Sequence, residues 1–192
     1  MEVRKAYAIL LEKYGRQHWW PAETDYEVLI GAILTQNTNW KNVEKAIENL
    51  RKENLLTPSS VLKTRNTRLE SLIRPSGFYR QKAERLRLAT KKWIGLDRKL
   101  GTEKLREEFL SVKGIGKETA DSILLYALGR RIFVIDAYTR RFCREFFRKE
   151  FREYDEYREF FESNLPEDVE LYKEYHALIV EWGKNFRPRT DS

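Results

Sequence analysis

The sequence predicts an all-α fold. Three observations lead to that class. Apolar residues recur at helical spacing along almost the whole chain. The two-residue alternation of a half-buried strand is nearly absent. Residues that start and stop helices punctuate the sequence at short intervals. With no strands to form a sheet, helix has to pack on helix.

The elements follow in order. Val3, Tyr7, Leu10, Leu11 and Tyr14 mark one face of a first helix that stops at Gly15. Thr24 to Glu27 reads as a capping box opening a second helix, which carries Leu29, Ile33 and Leu34. Val43, Ala46, Ile47 and Leu50 define a third, and Thr57-Pro58 is a cap with a first-turn proline. Arg74-Pro75-Ser76-Gly77 is a turn, and Gly95 and Gly129 are further helix stops. A helix ends at Leu110, and after a short turn another runs from Glu118 to Leu128. The stretch Arg130 to Ile135 is then an apolar connector, with Asp136 capping the helix that starts at Ala137. Arg144 to Tyr157, rich in Arg, Glu and Phe, reads as an ion-paired helical surface. About ten helices are expected. No low-complexity linker and no repeat divides them.

A chain of 192 residues buries roughly 70% of its unfolded surface, enough for one domain or two small lobes. The 37 Lys and Arg against 30 Asp and Glu leave a net charge of +7, which favours a polyanionic partner, most commonly nucleic acid. Charged residues make up 35% of the chain while Cys and Met occur once each, a profile expected of a thermophilic source. Because Cys143 stands alone, the chain has neither an internal disulfide nor a four-thiolate metal or iron–sulfur centre. The amphipathic N-terminus and the lack of any apolar run near the ~20 residues of a membrane span predict a soluble, unprocessed, cytoplasmic protein.

Two features invite chemistry. In Val112-Lys113-Gly114-Ile115-Gly116-Lys117 the glycines permit positive φ or a close backbone approach, and Ile115 pins the turn to the core. The helix that follows opens with free N–H groups, and these with Lys113 and Lys117 form a phosphate cradle that reads backbone rather than sequence. The same glycines also suit an ordinary turn between helices. Asp136, 20 residues beyond Gly116, is placed for one helix to run out and the connector to return an acid. It also reads simply as the N-cap of its helix.

A helix ending in Leu110, then V-K-G-I-G-K, then a helix opening Glu118-Thr119-Ala120 resembles the helix-hairpin-helix of DNA-repair proteins. "LTQNTNW", "VKGIGKETAD" and "VIDAYTRRF" together resemble the endonuclease III superfamily of DNA glycosylases. "HWWPAE", "LTQNTNWKNVEKA", "RPSGFYRQKAERL" and "KGIGKETADSILLYA" are most similar to its small 3-methyladenine DNA glycosylases. The similarity runs from about Trp19 to Lys184. It implies two helical lobes around a cleft: a helical domain over 25–131, with the hairpin at about 112–119, and a second domain made of 1–24 and 132–192, with Asp136 in the cleft.

Residue by residue, Asp136 matches the catalytic aspartate. Bifunctional relatives carry a Schiff-base lysine where this chain has Glu118, whose carboxylate forms no imine, and Lys117 points about 100° away on the helix. The resemblance therefore implies a monofunctional enzyme. Endonuclease III continues into a four-cysteine iron–sulfur loop where this chain reads NFRPRTDS, so no cofactor is expected. Gln36, with Asn37, matches the residue that plugs the gap left by a flipped nucleotide. Trp19, Trp20, Pro21 and Trp40 correspond to the base pocket, and Lys184 to a lysine near the active site. Lys113, Gly114, Gly116, Lys117 and Thr119 correspond to the phosphate contact.

Each assignment has a plainer reading beside it. Gln36 and Asn37 also read as polar residues ending a helix, the tryptophans as core, and Lys184 as a solvated lysine. Trp93 and Trp182 suit core packing. His18 and His176 have no Ser or Cys partner at a recognisable spacing, so no triad is indicated and no acid–base role is assigned. The resulting expectation is a monomeric DNA-repair glycosylase, without metal, that hydrolyses the N-glycosidic bond of an alkylated purine, 3-methyladenine first, in double-stranded DNA. The alternatives are a glycosylase for 7-methylguanine, hypoxanthine or an oxidised pyrimidine, and a non-catalytic helix-hairpin-helix DNA-binding protein.

Overall fold

The computed structural model describes residues 1–187 and, among them, eleven α-helices and no strand. The chain divides into two compact units, Met1–Pro21 with Gly129–Ser192 and Ala22–Leu128.

The contiguous unit is built around α2 (Asp25–Leu34), in which every residue from Tyr26 to Leu34 is buried. Thr24 caps it by accepting from the Glu27 N–H at 3.1 Å. The reciprocal half of the expected capping box is absent, because the Glu27 carboxylate instead accepts from the Glu23 N–H and pairs with Arg51. Helices α3 (Trp40–Lys52), α4 (Pro58–Lys63) and α5 (Asn66–Ile73) follow. Asn39 caps α3, and Thr57 with Ser60 forms a complete capping box on α4, with Pro58 in the first turn. A 3₁₀ turn at Arg74–Ser76 and Gly77 at φ +69° lead into α6 (Tyr79–Ile94).

Helix α7 (Thr102–Leu110) and α8 (Lys117–Ser122) flank the glycine turn, and α8 widens into a π-type turn at Ile123–Ala127 rather than running as regular helix to Leu128. A buried, bidentate ion pair ties them together. Arg106 donates Nε to Asp121 Oδ1 at 2.7 Å and Nη2 to Oδ2 at 3.1 Å. With both charges out of water, the two-point geometry and the matched hydrogen bonds are what make such a pair tolerable.

The other unit joins α1 (Val3–Tyr14) to the later part of the chain, where α9 (Ala137–Phe142), α10 (Tyr154–Glu162) and α11 (Val169–Asn185) lie. Both α1 and α9 pack on α11. The Tyr175 hydroxyl donates to Val3 O at 2.9 Å, and its ring meets Tyr7 edge-on. Aromatic rings fill much of this core. Phe133 stacks on Phe161 at 4.3 Å, and Phe142 meets Trp182 edge-on at 5.2 Å. Trp182 here, and Trp93 in the other unit, are buried. The stretch Arg144 to Tyr157 is not one helix. After α9 a π-type turn at Cys143–Phe147 ends at Arg148, in the left-handed region at φ +54°, and the chain is non-helical until α10 starts at Tyr154. Apolar packing explains the break, since Phe147 and Phe151 both turn toward Phe160.

Candidate functional site

In the discontinuous unit the apolar connector delivers an acid. Ile132 to Ile135 are all buried, so their backbone N–H groups need partners. The Phe133 N–H donates to Glu162 at 2.8 Å and that of Ile135 to the Tyr154 hydroxyl at 3.1 Å. Helix α10 thereby fixes the path of the chain up to Asp136. Asp136 is the N-cap of α9: its Oδ1 accepts from the Thr139 N–H at 2.7 Å and from the Thr139 hydroxyl at 2.9 Å. Its Oδ2 is 3.4 Å from His176 Nε2 on α11, and the side chain keeps 15% exposure. Burial disfavours the charged form, but His176 and the two Thr139 bonds outweigh it and hold the carboxyl below its ordinary range. The result is an ionised, oriented and accessible carboxylate.

His176 is a residue that sequence reasoning passed over. Its imidazole is buried, and its ring centre lies 5.9 Å from that of Trp19. Trp19 in turn lies 5.5 Å from Trp20, and Lys184 Nζ stands 5.9 Å over the Trp19 ring. Both tryptophans are half-buried, Pro21 is exposed, and Lys184 is also 3.9 Å from Glu181. The available signal was a histidine on the apolar face of α11, among Tyr172, Tyr175 and Ile179. Helical spacing shows that such a residue faces inward, but not what it meets. His18 lines a cavity of about 260 Å³ with Tyr7, Arg16, Trp19, Asp168 and Glu174.

The contiguous unit carries the hairpin. Val112 and Ile115 are buried and anchor the turn, which the Ile115 N–H closes onto Val112 O at 3.0 Å. Gly114 sits at φ +86°, which favours glycine, and the Arg85 side chain packs so closely over it that a Cβ would fall 2.3 Å from Arg85 Nε. Gly116 is the N-cap of α8, Gly114 and Gly116 are exposed, and Thr119 is buried beneath them. Lys113 extends from the turn and is 3.2 Å from Glu84, while Lys117 is half-buried at the start of α8.

Gln36 and Asn37 follow α2 in this unit. Gln36 is tied down: Nε2 donates to Gly114 O and to Thr119 Oγ1, each at 3.0 Å, and Oε1 accepts from Arg85 at 2.7 Å. Asn37 is exposed at φ +51°. Trp40 opens α3, half-buried, with Nε1 donating to Glu44 at 2.9 Å. Two further residues were missed. Lys82 is fully buried on α6, and its Nζ donates to Leu34 O at 2.8 Å and Ser76 O at 2.6 Å. It thus fastens the end of α2 to the turn before Phe78. Phe78 is 60% exposed and in the left-handed region at φ +44°.

The HhH-GPD superfamily base excision DNA repair protein model matches residues 30–167. A Methanocaldococcus jannaschii protein provisionally named DNA repair glycosylase MJ1434 is 55% identical over 193 residues, covering 96% of this chain and 88% of the relative. Endonuclease III of Thermotoga maritima is 31% identical, covering 91% and 79%. Among solved structures, the 3-methyladenine DNA glycosylase MagIII of H. pylori, bound to 1,N6-ethenoadenine, superimposes with a TM-score of 0.84. It is 31% identical, and the match covers 96% of this chain and 98% of that one.

Proposed function

The chain belongs to the HhH-GPD superfamily of base excision DNA repair proteins and is a DNA repair glycosylase, and we propose that it removes alkylated purines, 3-methyladenine first, as a monofunctional enzyme. The observation that carries the mechanism is the state of Asp136, a carboxylate kept ionised by Thr139 and His176 while still open to solvent. Such a group orients or deprotonates a water and stabilises positive charge developing on the sugar as the glycosidic bond breaks. Water attacks the sugar carbon, the bonding pair leaves with the base, and Asp136 takes up the proton from the water. A 3-methylated adenine is already cationic and needs no strong acid to leave.

Several residues are proposed to prepare that step. The amides around Gly114 and Gly116, with Lys113 and Lys117, hold the phosphate backbone, and Thr119 supports the turn from below. Gln36, Asn37 and the exposed ring of Phe78 fill the space left when the nucleotide turns out of the duplex. Trp19, Trp20 and Pro21 offer a surface for the base, with Lys184 at its edge, and Trp40 is a further stacking face. Indole faces favour a cationic base over neutral adenine by about 0.5–2 kcal/mol. That amounts to only about 2- to 30-fold, so the rest of the selectivity comes from the weakened glycosidic bond. The likeness to the H. pylori 3-methyladenine glycosylase supports this substrate class. Glu118, which can form no imine, supports hydrolysis without strand cleavage.

The test uses Asp136→Asn. The variant is expected to bind DNA carrying an abasic analogue as the parent does, while 3-methyladenine release from methylated DNA falls at least about 100-fold. Undiminished release would remove Asp136 from the mechanism. Chromatography of bases freed from alkylated, deaminated and oxidised DNA tests the substrate class, because a surface for cationic bases should free almost nothing from the last.

A further inference from the structure

We propose that Arg85 is the positioning residue of Gln36: it sets which way the Gln36 amide faces and locks that side chain to the Gly114 hairpin before DNA arrives. The proposal deepens the reading of Gln36 as a gap-filling residue and rests on it.

Hydrogen-bonding capacity carries the argument. A guanidinium only donates, so the Gln36 atom 2.7 Å from Arg85 Nη1 is the carbonyl oxygen. The amide NH₂ then faces the other way, where Gly114 O and Thr119 Oγ1 each lie at 3.0 Å. Reversing the amide would set its NH₂ against a guanidinium and its oxygen against the Gly114 carbonyl. Three partners on two elements thus select a single orientation, and both donor hydrogens are spent on the hairpin.

Packing makes the same point independently. The stem of Arg85 crosses the turn so closely that a Cβ on Gly114 would lie 2.3 Å from its Nε, 2.6 Å from its Cδ and 2.7 Å from its Cγ. Hairpin and arginine are therefore built around one another. One turn earlier on α6, Lys82 holds the backbone of the same region through Leu34 O. Helix α6 thus supports the gap-filling turn twice, through main chain at Lys82 and through side chain at Arg85. A long, flexible side chain ordered during folding need not be ordered at the moment of binding, so affinity rises selectively for DNA with a space to fill.

The test measures affinity of the full chain for two duplexes at one fixed salt concentration, one intact and one carrying a tetrahydrofuran abasic analogue. Arg85→Met keeps a stem over Gly114 and removes the donors. It should weaken binding to the analogue duplex about 10-fold, the scale of a lost charge-assisted hydrogen bond, and change binding to the intact duplex less than twofold. Arg85→Lys, with a donor for Oε1, should recover part of the loss. Arg85→Met combined with Gln36→Ala should be no weaker than Gln36→Ala alone. Equal weakening on both duplexes, with the salt dependence falling by about one phosphate contact, would make Arg85 a simple backbone contact and overturn the proposal. Additive losses, or no loss in Arg85→Met while Gln36→Ala binds the analogue poorly, would overturn it alone. No loss in Gln36→Ala itself would sink the gap-filling reading and this proposal together.

Discussion

At Asp136 two roles share one side chain. The carboxylate caps α9 through Thr139 and is the proposed chemical group, so its charge matters to folding as well as to base release. The folded-state pKa is lowered, hence the charge contributes stability above the ordinary carboxylate value of about 3.9 and loses that contribution as pH falls through the folded value. Asp136→Asn keeps an oxygen for the Thr139 N–H and loses the charge together with the oxygen that faces His176. Its thermal stability should therefore lie below that of the parent at neutral pH, and the two melting curves should converge as pH is taken below about 4. A gap that stayed constant over that range would mean the charge stabilises nothing. The aspartate was legible in sequence, because an apolar run followed by Asp and a helix states a cap. Its partner was not, because His176 lies 40 residues on in the chain and reaches Asp136 only when α11 packs against α9.

At the scale of the element, α6 carries the least expected features. Lys82 holds a fully buried ammonium against two carbonyls, and burial, then the nearby Arg85, lowers its pKa to about 8. Lys82→Met would fill similar space but leave Leu34 O and Ser76 O without that donor, for a loss of about 1–3 kcal/mol at neutral pH. The sign of the pH effect follows from proton counting. Between about 8 and the ordinary lysine value of 10.5 the unfolded chain binds more protons than the folded one, so the parent gains stability as pH rises through that window. The deficit of Lys82→Met in urea unfolding should accordingly widen from pH 8 to 10.5. A deficit that narrowed would mean that the charged amine is the favoured buried form. None of this is written in the local sequence, where Arg74-Pro75-Ser76-Gly77 reads as a turn and nothing marks Lys82 or Arg85. Lys82 and Arg85 are 48 and 49 residues from the groups they hold at Leu34 and Gln36, and only tertiary packing selects them.

For the whole molecule, legibility follows the range of the interactions. Helical spacing, caps at Thr24, Thr57 and Asp136, and glycine stops are local, and the all-helical fold could be read from them. The run from Arg144 to Tyr157 misled because its opposite charges recur at helical spacing in the sequence, whereas in the fold Phe147 and Phe151 both pack against Phe160. The hairpin was visible through its glycines, and the positive φ of Gly114 is local, whereas the side chain packed over it, Arg85, comes from another helix. The contiguous unit, Ala22–Leu128, has its own core around α2 and its own buried Arg106–Asp121 brace. Expressed alone, it should give a helical circular dichroism spectrum and a cooperative thermal transition. A non-cooperative melt would show that it borrows stability from the rest of the chain.

The hydrogen bond from Tyr175 to Val3 spans 172 positions. A ribosome releases α1 long before α11, its packing partner, so Val3, Ala6 and Leu10 lack that cover until α11 has been made. During that wait the internal unit can complete itself. The groups proposed to hold DNA can therefore assemble before the aspartate proposed to cut the glycosidic bond reaches its histidine, which waits for α11.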